Sequence, residues 1–243
     1  MDQYLTPMPF TPAEDNTHKY QSRPVDSNQD DIHPRLVPLL ARHFASAFTR
    51  PVCGAAIRRF ELVEKTRLEM KRPLILDAGC GNGFSTRQLA EKYADHLVIG
   101  VDKSKHRLGR GGAHQGLDLE GNCLLLRMNL QDFWILAAEH GWKLDQHYLL
   151  YANPWPKARH LARRWYAHPV FPTILKLKGS LEFRSNWHIY ALEFRAALEW
   201  ATNTRVNIEQ FQASPCLSQF EIKYAKSGLK LYRGCINLDQ VVT

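Results

Sequence analysis

The stretch LILDAGCGNGFSTRQLAEKYADHLVIGVD, residues 74–102, decides the fold class of this chain. It opens with an apolar run that stops at a glycine-rich turn, and it continues through a segment of helical length. It closes with a second apolar run that ends at Asp102. Strand, tight turn, helix and strand in this order form a right-handed βαβ unit with two parallel strands. The stretch therefore predicts an α/β protein.

The same alternation continues towards the C-terminus. Further apolar runs predict strands at 123–127, 146–152 and 179–185, and two closing strands around 205–210 and 230–238. Amphipathic segments at 130–141 and 187–201 predict helices between them. With the two strands of the opening stretch, these runs predict a Rossmann-like, doubly wound, mostly parallel sheet of seven strands.

The part of the chain before this sheet divides into two regions. Residues 34–70 carry apolar side chains at helical spacing, interleaved with arginines, and predict an N-terminal helical extension. Residues 1–33 are polar, contain four prolines and show no apolar periodicity, which predicts a flexible N-terminal arm. We therefore expect an arm over 1–33 and one domain over 34–243.

Composition limits the class of protein. Lysine and arginine together number 32 against 24 acidic residues, a net charge of +8 that favours a polyanionic partner such as RNA. The five cysteines are odd in number, widely spaced and form no C-x-x-C pair, so the sequence indicates neither a disulfide framework nor a metal site. No apolar run reaches the roughly 20 residues that span a bilayer. We expect a cytoplasmic protein with no membrane contact, as a monomer or a homodimer.

The glycine-rich turn indicates a nucleoside-containing ligand. Gly79, Gly81 and Gly83 follow the first predicted strand, where residues without a Cβ allow a sharp turn and close approach of a ligand. Asp102 ends the next strand, where its carboxylate can accept hydrogen bonds from both hydroxyls of a ribose. Together these features predict a cofactor site.

The spacing of the glycines distinguishes between two cofactors. The dinucleotide fingerprint G-x-G-x-x-G fails, because Phe84 stands at its last glycine, and this disfavours an NAD-dependent oxidoreductase. Asp77, two residues before the first glycine, would repel a pyrophosphate but suits the cationic amino-acid end of S-adenosylmethionine (SAM). The pattern D-x-G-x-G-x-G resembles motif I of class I SAM-dependent methyltransferases, which implies that the glycines line the methionine portion of the cofactor.

A basic loop follows the fourth predicted strand. In YANPWPKARHLARRWYAHPVF, residues 151–171, two prolines flank Trp155, and the cationic side chains Lys157, Arg159, His160, Arg163 and Arg164 follow. An aromatic ring can stack on a base, while clustered cations attract phosphates. The carboxyl edge of such a sheet is where α/β proteins bind their substrates. The loop therefore predicts an RNA-binding surface beside the cofactor.

This loop resembles the P-D-P-W-P-K-x-R-H-x-x-R-R signature of the bacterial tRNA (guanine-N7) methyltransferase family. Other segments, SNWHIYALEF and SQFEIKYAKSGLKLYRG, are similar to the family's later motifs in the same order. The resemblance implies a SAM-dependent methyltransferase domain that methylates N7 of a guanine in tRNA. The residues it assigns to the cofactor are Asp77, Gly79, Gly81, Gly83, Asp102, Asn129 and Asn153. Those it assigns to the substrate are Lys157, Arg159, His160, Arg163, Arg164, Asn186, Ser218, Gln219, Phe220 and Glu221.

The sequence departs from the family pattern at two acidic positions. Asn153 and Asn186 stand where the family has Asp, and each change removes a negative charge from a place implied in guanine recognition. The loss of one charge-assisted hydrogen bond costs on the order of 1–2 kcal/mol. N7 carries no proton, so no general base is needed, and Asn153 and Lys157 are the candidate catalytic residues because they would position the base.

Two other interpretations remain open on the sequence. Asn153-Pro154-Trp155-Pro156 is similar to the N-P-P-[YFW] loop of amino-methyltransferases, which would imply an exocyclic amine, a protein or a small molecule as substrate. The two asparagines also fit a divergent paralogue that binds RNA with little catalytic activity.

Overall fold

The computed structural model describes residues 22–241, which contain one eight-stranded sheet with helices on both faces. The strands are β1 Leu74–Ala78, β2 Leu97–Asp102, β3 Leu117–Glu120, β4 Cys123–Arg127, β5 Gln146–Leu150, β6 Ser180–Ser185, β7 Ile208–Phe211 and β8 Leu231–Asn237. The α-helices are α1 Leu36–Ala45, α2 Gly54–Met70, α3 Phe84–Lys92, α4 Lys105–Arg110, α5 Leu130–Glu139, α6 Phe171–Lys176, α7 His188–Thr202 and α8 Gln219–Lys226. Short 3₁₀ helices cover Ala158–Arg163, Trp165–Ala167 and Leu238–Gln240.

The strand order is β3-β4-β2-β1-β5-β6-β8-β7. The five strands from β4 to β6 run parallel, whereas β3, β8 and β7 join the sheet in antiparallel pairs. The order reverses between β1 and β5, which creates a crevice at the carboxyl ends of these strands. This arrangement confirms the predicted doubly wound, mostly parallel sheet.

The predicted number of seven strands was wrong by one. The additional strand, β3, forms a hairpin with β4 at the edge of the sheet. Its four residues, LDLE, are all half-buried or exposed, so they form no apolar run. Apolar and acidic residues do alternate along it, but over four residues this alternation is too short to distinguish a strand from a loop.

The two strands that bear the glycine loop and Asp102 lie in the centre of the sheet. All eleven residues of β1 and β2 are buried, as expected for parallel strands covered by helices on both faces. Gly100 in β2 lets α3 pack against the sheet, because a Cβ there would lie 2.2 Å from Oγ1 of Thr86. The chain behind the glycine loop is therefore tightly packed.

The predicted N-terminal helices are α1 and α2. Leu36 and Leu40 of α1 are buried in the main hydrophobic core, as are Phe60 and Val63 of α2. Of the predicted arm over 1–33, the first 21 residues lie outside the described residues. Residues 22–33 have no regular secondary structure, but they lie against the domain.

Within 22–241, no helix combines the length and apolarity needed to traverse a lipid bilayer. In the same range, no cluster of three or more His, Cys, Asp or Glu side chains is arranged to hold a metal ion. All five cysteines are free thiols.

Candidate cofactor and substrate site

The carboxyl edge of the sheet brings the predicted cofactor and substrate residues to one side of the molecule. The glycine loop follows β1, Asp102 ends β2, and the loop with Asn153 and Lys157 follows β5. Asn186 follows β6 directly. Because these strands are parallel neighbours, their carboxyl ends share one edge.

The glycine loop has the backbone geometry of a ligand cradle. Gly79, Gly81 and Gly83 have φ angles of +88°, +64° and +80°, a region that L side chains rarely adopt. A Cβ built on Gly81 would meet no atom within 4 Å, so the space above this residue is open. The Gly79 amide donates to the carbonyl of Val101 at 2.8 Å and fixes the loop to β2. The loop is therefore hydrogen-bonded to β2 and leaves open space next to Gly81, where a bound cofactor could approach the backbone.

Asp77 lies at the base of this loop, closed off from solvent. Its side chain is 1% exposed, and Oδ2 accepts hydrogen bonds from the hydroxyls of Ser85 at 2.6 Å and Thr86 at 2.7 Å. Burial raises the pKa of Asp77 to about 6, although both hydroxyls act in the opposite direction. The carboxylate thus anchors the start of α3 under the loop and places a titrating negative charge there.

Asp102 connects the glycine loop to the end of β2. Its Oδ2 accepts from the Gly81 amide at 3.1 Å, and its Oδ1 accepts from the Ser104 amide at 2.8 Å. The side chain of Arg107 is partly exposed, and its Nη1 lies 3.4 Å from Oδ2. The carboxylate is therefore held in a fixed orientation at the edge of the open cradle.

Asn129 occupies the position after β4 that was predicted to contact the cofactor. It caps α5, and its Oδ1 accepts from the Gln131 amide at 3.0 Å. This bond uses the side-chain oxygen, so a contact with a ligand would come from its NH₂ group. The residue is half-buried and lies on the β4 side of the glycine loop.

The loop after β5 is shaped by its own side chains. Oδ1 of exposed Asn153 accepts from the Trp155 amide at 3.1 Å and closes a tight turn. Trp155 has a φ of +45°, and its carbonyl accepts from Nη2 of Arg164 at 3.1 Å. The amide NH₂ of Asn153 and the ammonium of Lys157 are left as the groups that can turn towards a substrate.

Part of the predicted arm binds this same loop. The hydroxyl of Ser27 donates to the Pro156 carbonyl at 2.7 Å, and the Ala158 amide donates to Oδ1 of Asn28 at 3.1 Å. These two residues were not predicted to belong to the site. The only feature of Ser27 and Asn28 in the sequence that fits a contact with this loop is their short polar side chains. Such side chains are too common to predict a contact.

Arg164 does not have the role that the sequence suggested. It is 0% exposed, its Nη1 forms an ion pair with buried Glu193, and its Nη2 donates to Oε1 of Gln29 at 3.1 Å. A guanidinium enclosed in this way cannot reach the phosphates of an RNA. The prediction of a phosphate contact at Arg164 was wrong, because this side chain instead holds the loop and the arm together.

The other basic residues of the loop remain available to a substrate. Lys157, Arg159 and Arg163 are exposed, and His160 is half-buried. The guanidinium of Arg163 lies 4.8 Å from the centre of the Trp155 ring, a cation–π contact that orients both groups. The loop therefore presents an aromatic ring and three exposed cations to solvent.

Glu221 is also placed differently from the prediction. It is 0% exposed, and its Oε1 accepts from the Tyr151 hydroxyl at 3.0 Å and from Nη1 of Arg184 at 2.6 Å. Its Oε2 accepts from the Leu217 amide at 2.5 Å. Because the carboxylate is completely enclosed and Oε1 already accepts two hydrogen bonds, the predicted contact of Glu221 with a base does not fit. The residue ties α8 to the ends of β5 and β6.

The neighbours of Glu221 complete this side of the site. Ser218 is buried and caps α8 by accepting from the Glu221 amide at 3.2 Å, whereas Gln219 is exposed. Phe220 is 44% exposed and stacks on Tyr224, with 5.8 Å between the ring centres. Of this predicted group, Gln219 and Phe220 are the two whose side chains a substrate could contact.

A cavity of about 850 Å³ lies at the opposite, amino-terminal edge of the sheet, where it is lined by residues that include His43, Trp142 and Leu238. No predicted site residue borders it. We therefore place the functional site at the glycine loop and not in this cavity.

Comparisons with known proteins agree with this geometry. A family model described as "Putative methyltransferase" matches residues 71–234. A tRNA (guanine-N(7)-)-methyltransferase of Staphylococcus carnosus is 24% identical over 176 residues, which cover 68% of this chain and 81% of the relative. A protein of the same name from Thermus thermophilus is 30% identical over 169 residues, which cover 64% of this chain and 51% of the relative.

Solved structures support the same fold. An antibiotic-related methyltransferase aligns with a TM-score of 0.52 and 15% identity, over 78% of this chain and 96% of that chain. A mutant of the 16S rRNA (adenine(1408)-N(1))-methyltransferase from Catenulisporales acidiphilia aligns with a TM-score of 0.50 and 13% identity, over 82% and 98% of the two chains. Since the family model covers more than half of the sequence, the chain belongs to this methyltransferase family, as a divergent relative of the tRNA (guanine-N7) methyltransferases.

Proposed function

We propose that this methyltransferase uses SAM to methylate N7 of a guanine in tRNA, in the cytoplasm. One observation carries the proposal. The open glycine cradle with Asp102 and the basic loop with Trp155 lie at the same edge of the sheet, on the neighbouring strands β1, β2 and β5. A methyl donor and an RNA base bound at these two places would meet between them.

The residues at the cradle fit SAM. Open space above Gly81 accommodates the amino-acid portion of the cofactor, and the fixed carboxylate of Asp102 suits the two ribose hydroxyls. The NH₂ of Asn129 can donate to a ring nitrogen of the adenine. The negative charge of Asp77 favours a cationic ligand through its field, since its oxygen atoms bind Ser85 and Thr86.

Bound SAM would supply an electrophilic methyl group: as guanine N7 forms its bond to the methyl carbon, the sulfur–carbon bond would break and S-adenosylhomocysteine would leave, with no proton lost from the base. The protein therefore needs to position the base and stabilise charge, and it needs no general base. Asn153 and Lys157 stand at the tip of the loop, where they can contact the base. The buried contacts of Arg164 hold this loop in one conformation, which lowers the entropic cost of aligning the base.

The direct test is to incubate the purified protein with labelled SAM and unmodified tRNA, and to identify the methylated nucleoside by mass spectrometry. We expect 7-methylguanosine. A different methylated base would overturn the guanine assignment and leave the methyltransferase family intact. SAM binding without any tRNA methylation would favour a protein or a small molecule as the substrate, or an RNA-binding protein with little catalytic activity.

We expect Asn153→Asp to raise kcat/KM on tRNA about ten-fold, because a carboxylate restores a charge-assisted contact worth on the order of 1–2 kcal/mol to the guanine edge. One oxygen would still accept from the Trp155 amide, so the turn is preserved. Steady-state rates with labelled SAM measure the effect. Lys143→Gln, on an exposed residue that precedes β5, serves as the control, with no expected change.

The rate of this variant does not separate guanine N7 from an exocyclic amine as the target. The oxygen of Asn153 is bound to the Trp155 amide, and a carboxylate would offer a second acceptor oxygen to either substrate. The identity of the methylated nucleoside separates them, since an exocyclic-amine methyltransferase yields an N-methylated amine and no 7-methylguanosine.

We expect the affinity for SAM to decrease as the pH falls through about 6. Asp77 has a pKa of about 6 in the folded protein, so below that pH it is neutral and no longer attracts the cationic cofactor. The same group lowers the stability of the ligand-free protein as the pH rises from about 4 to about 6, because the folded state retains a proton that the unfolded state has lost. Calorimetric titration of SAM between pH 5 and 8 should show this trend, and Asp77→Asn should largely remove it.

A further inference from the structure

A second basic surface lies beside the loop, between α1 and the 3₁₀ helix Ala158–Arg163. It is a groove of about 340 Å³, with Arg35 and Arg42 on one side and Arg159 on the other. His33 also borders it, and Leu39 contributes to its apolar lining. The groove was not predicted from the sequence, because it joins parts of the chain that lie more than a hundred residues apart.

The charges in the groove are all of one sign. Arg35, Arg42 and Arg159 are exposed, and none of them forms an ion pair with a carboxylate within 22–241. Among the described residues, no aspartate or glutamate lines the groove. Three guanidinium groups without a counter-charge around one concave space form a site for a polyanion.

The spacing of the arginines suits a nucleic-acid strand. Arg35 is the N-cap residue of α1, and Arg42 lies seven residues further along the helix, which is about two turns or 10 Å. Stacked nucleotides place successive phosphates of a strand about 3.4 Å apart along its axis, so the two arginines are about three nucleotides apart. In the part of the chain that the structure describes, no Phe, Tyr or Trp ring lines the groove to anchor a protein partner.

The groove also lies next to the loop where the target base would bind. Its 3₁₀ helix begins directly after Lys157 and is about 12 Å long, at 2 Å per residue. We propose that the groove binds the sugar–phosphate backbone of the RNA on one flank of the nucleotide that is methylated. This inference rests on the proposed function, because the loop that contains Asn153 and Lys157 defines where the target base binds.

The test compares two double variants with the same loss of charge in the full-length protein. Arg35→Gln/Arg42→Gln removes two cations from the groove, and Lys143→Gln/Lys176→Gln removes two from the opposite edge of the sheet. The affinity of unmodified tRNA is measured from about 50 to 300 mM salt, and the affinity of S-adenosylhomocysteine is measured by calorimetry. Methylation rates provide kcat and KM for tRNA.

We expect the groove variant to bind tRNA about ten-fold more weakly and to lose about 1.5 from the slope of log affinity against log salt, as two phosphate contacts require. KM should rise, while kcat and the affinity for S-adenosylhomocysteine should stay within about two-fold. The control variant should keep the slope of the unmodified protein.

An unchanged slope in the groove variant, or equal losses in both variants, would overturn the proposal and leave tRNA methylation intact. A reduced slope in a protein that makes no 7-methylguanosine would support the groove as an RNA site and disprove the proposed reaction instead. Absence of any tRNA binding by the unmodified protein would overturn both.

Discussion

Asp102→Asn is expected to weaken the binding of S-adenosylhomocysteine by about 100-fold. The carboxylate can accept from both hydroxyls of the ribose, and each charge-assisted bond contributes roughly 1.5–3 kcal/mol. An amide has one acceptor oxygen, and its NH₂ group would face a hydroxyl, so about 3 kcal/mol or 100-fold is lost. Calorimetry with S-adenosylhomocysteine measures the ligand without turnover.

The matched control for this variant is Asp95→Asn. Asp95 lies just before the amino end of the same strand, is exposed and contacts His96, so its neutralisation should leave cofactor binding unchanged. The free energy of unfolding of the ligand-free Asp102→Asn protein should fall by about 1–3 kcal/mol, because the single oxygen of asparagine can accept from the Ser104 amide and leaves the buried Gly81 amide without an acceptor.

Arg107 separates two explanations of the Asp102 effect. Its guanidinium lies 3.4 Å from Oδ2, so Asp102 could act only by holding this arginine. In that case Arg107→Gln would weaken binding as much as Asp102→Asn does. If the carboxylate binds the ribose itself, Arg107→Gln changes the affinity by less than about three-fold, as expected for a partly exposed ion pair.

The central βαβ unit could be predicted because local signals determine it. The runs that became β1 and β2 are apolar throughout, and three glycines occupy the turn that requires positive φ angles. The edge strand β3 was missed because the alternation of apolar and acidic residues from Leu117 to Glu120 spans only four residues.

The structure brings the predicted site residues to one edge of the sheet, but the contacts of Arg164 and Glu221 do not fit the roles predicted for them. The sequence motifs identified Arg164 and Glu221 by their residue types. The type of a charged residue does not show whether its side chain is exposed to solvent or buried in the core. That outcome depends on partners far along the chain, such as Gln29 for Arg164 and Tyr151 for Glu221. One signal was present and was missed: Glu193 lies on the apolar face of α7 beside Phe194, where an acid requires a buried partner.

The second large effect is expected at this acid. Glu193→Gln should reduce the free energy of unfolding by about 3–5 kcal/mol, because it leaves the guanidinium of Arg164 buried without a counter-charge. The carboxylate also accepts from Nε2 of Gln29 at 2.5 Å and from the His33 amide at 2.8 Å, so the seating of the arm is weakened at the same time. Chemical denaturation measures the loss, and Glu139→Gln on an exposed residue of α5 should change stability by less than about 0.5 kcal/mol.

A double variant shows whether the charge or the shape of Glu193 matters. In Arg164→Met/Glu193→Leu both charges are gone, so no buried ion lacks a partner, and the loss of stability should be smaller than for Glu193→Gln alone. The loop should nevertheless become less ordered, because the Trp155 carbonyl loses the guanidinium that binds it. The expected enzyme is therefore folded and binds S-adenosylhomocysteine normally, with a kcat on tRNA reduced about ten-fold or more. A double variant with full kcat would show that the buried pair stabilises the fold without positioning the loop.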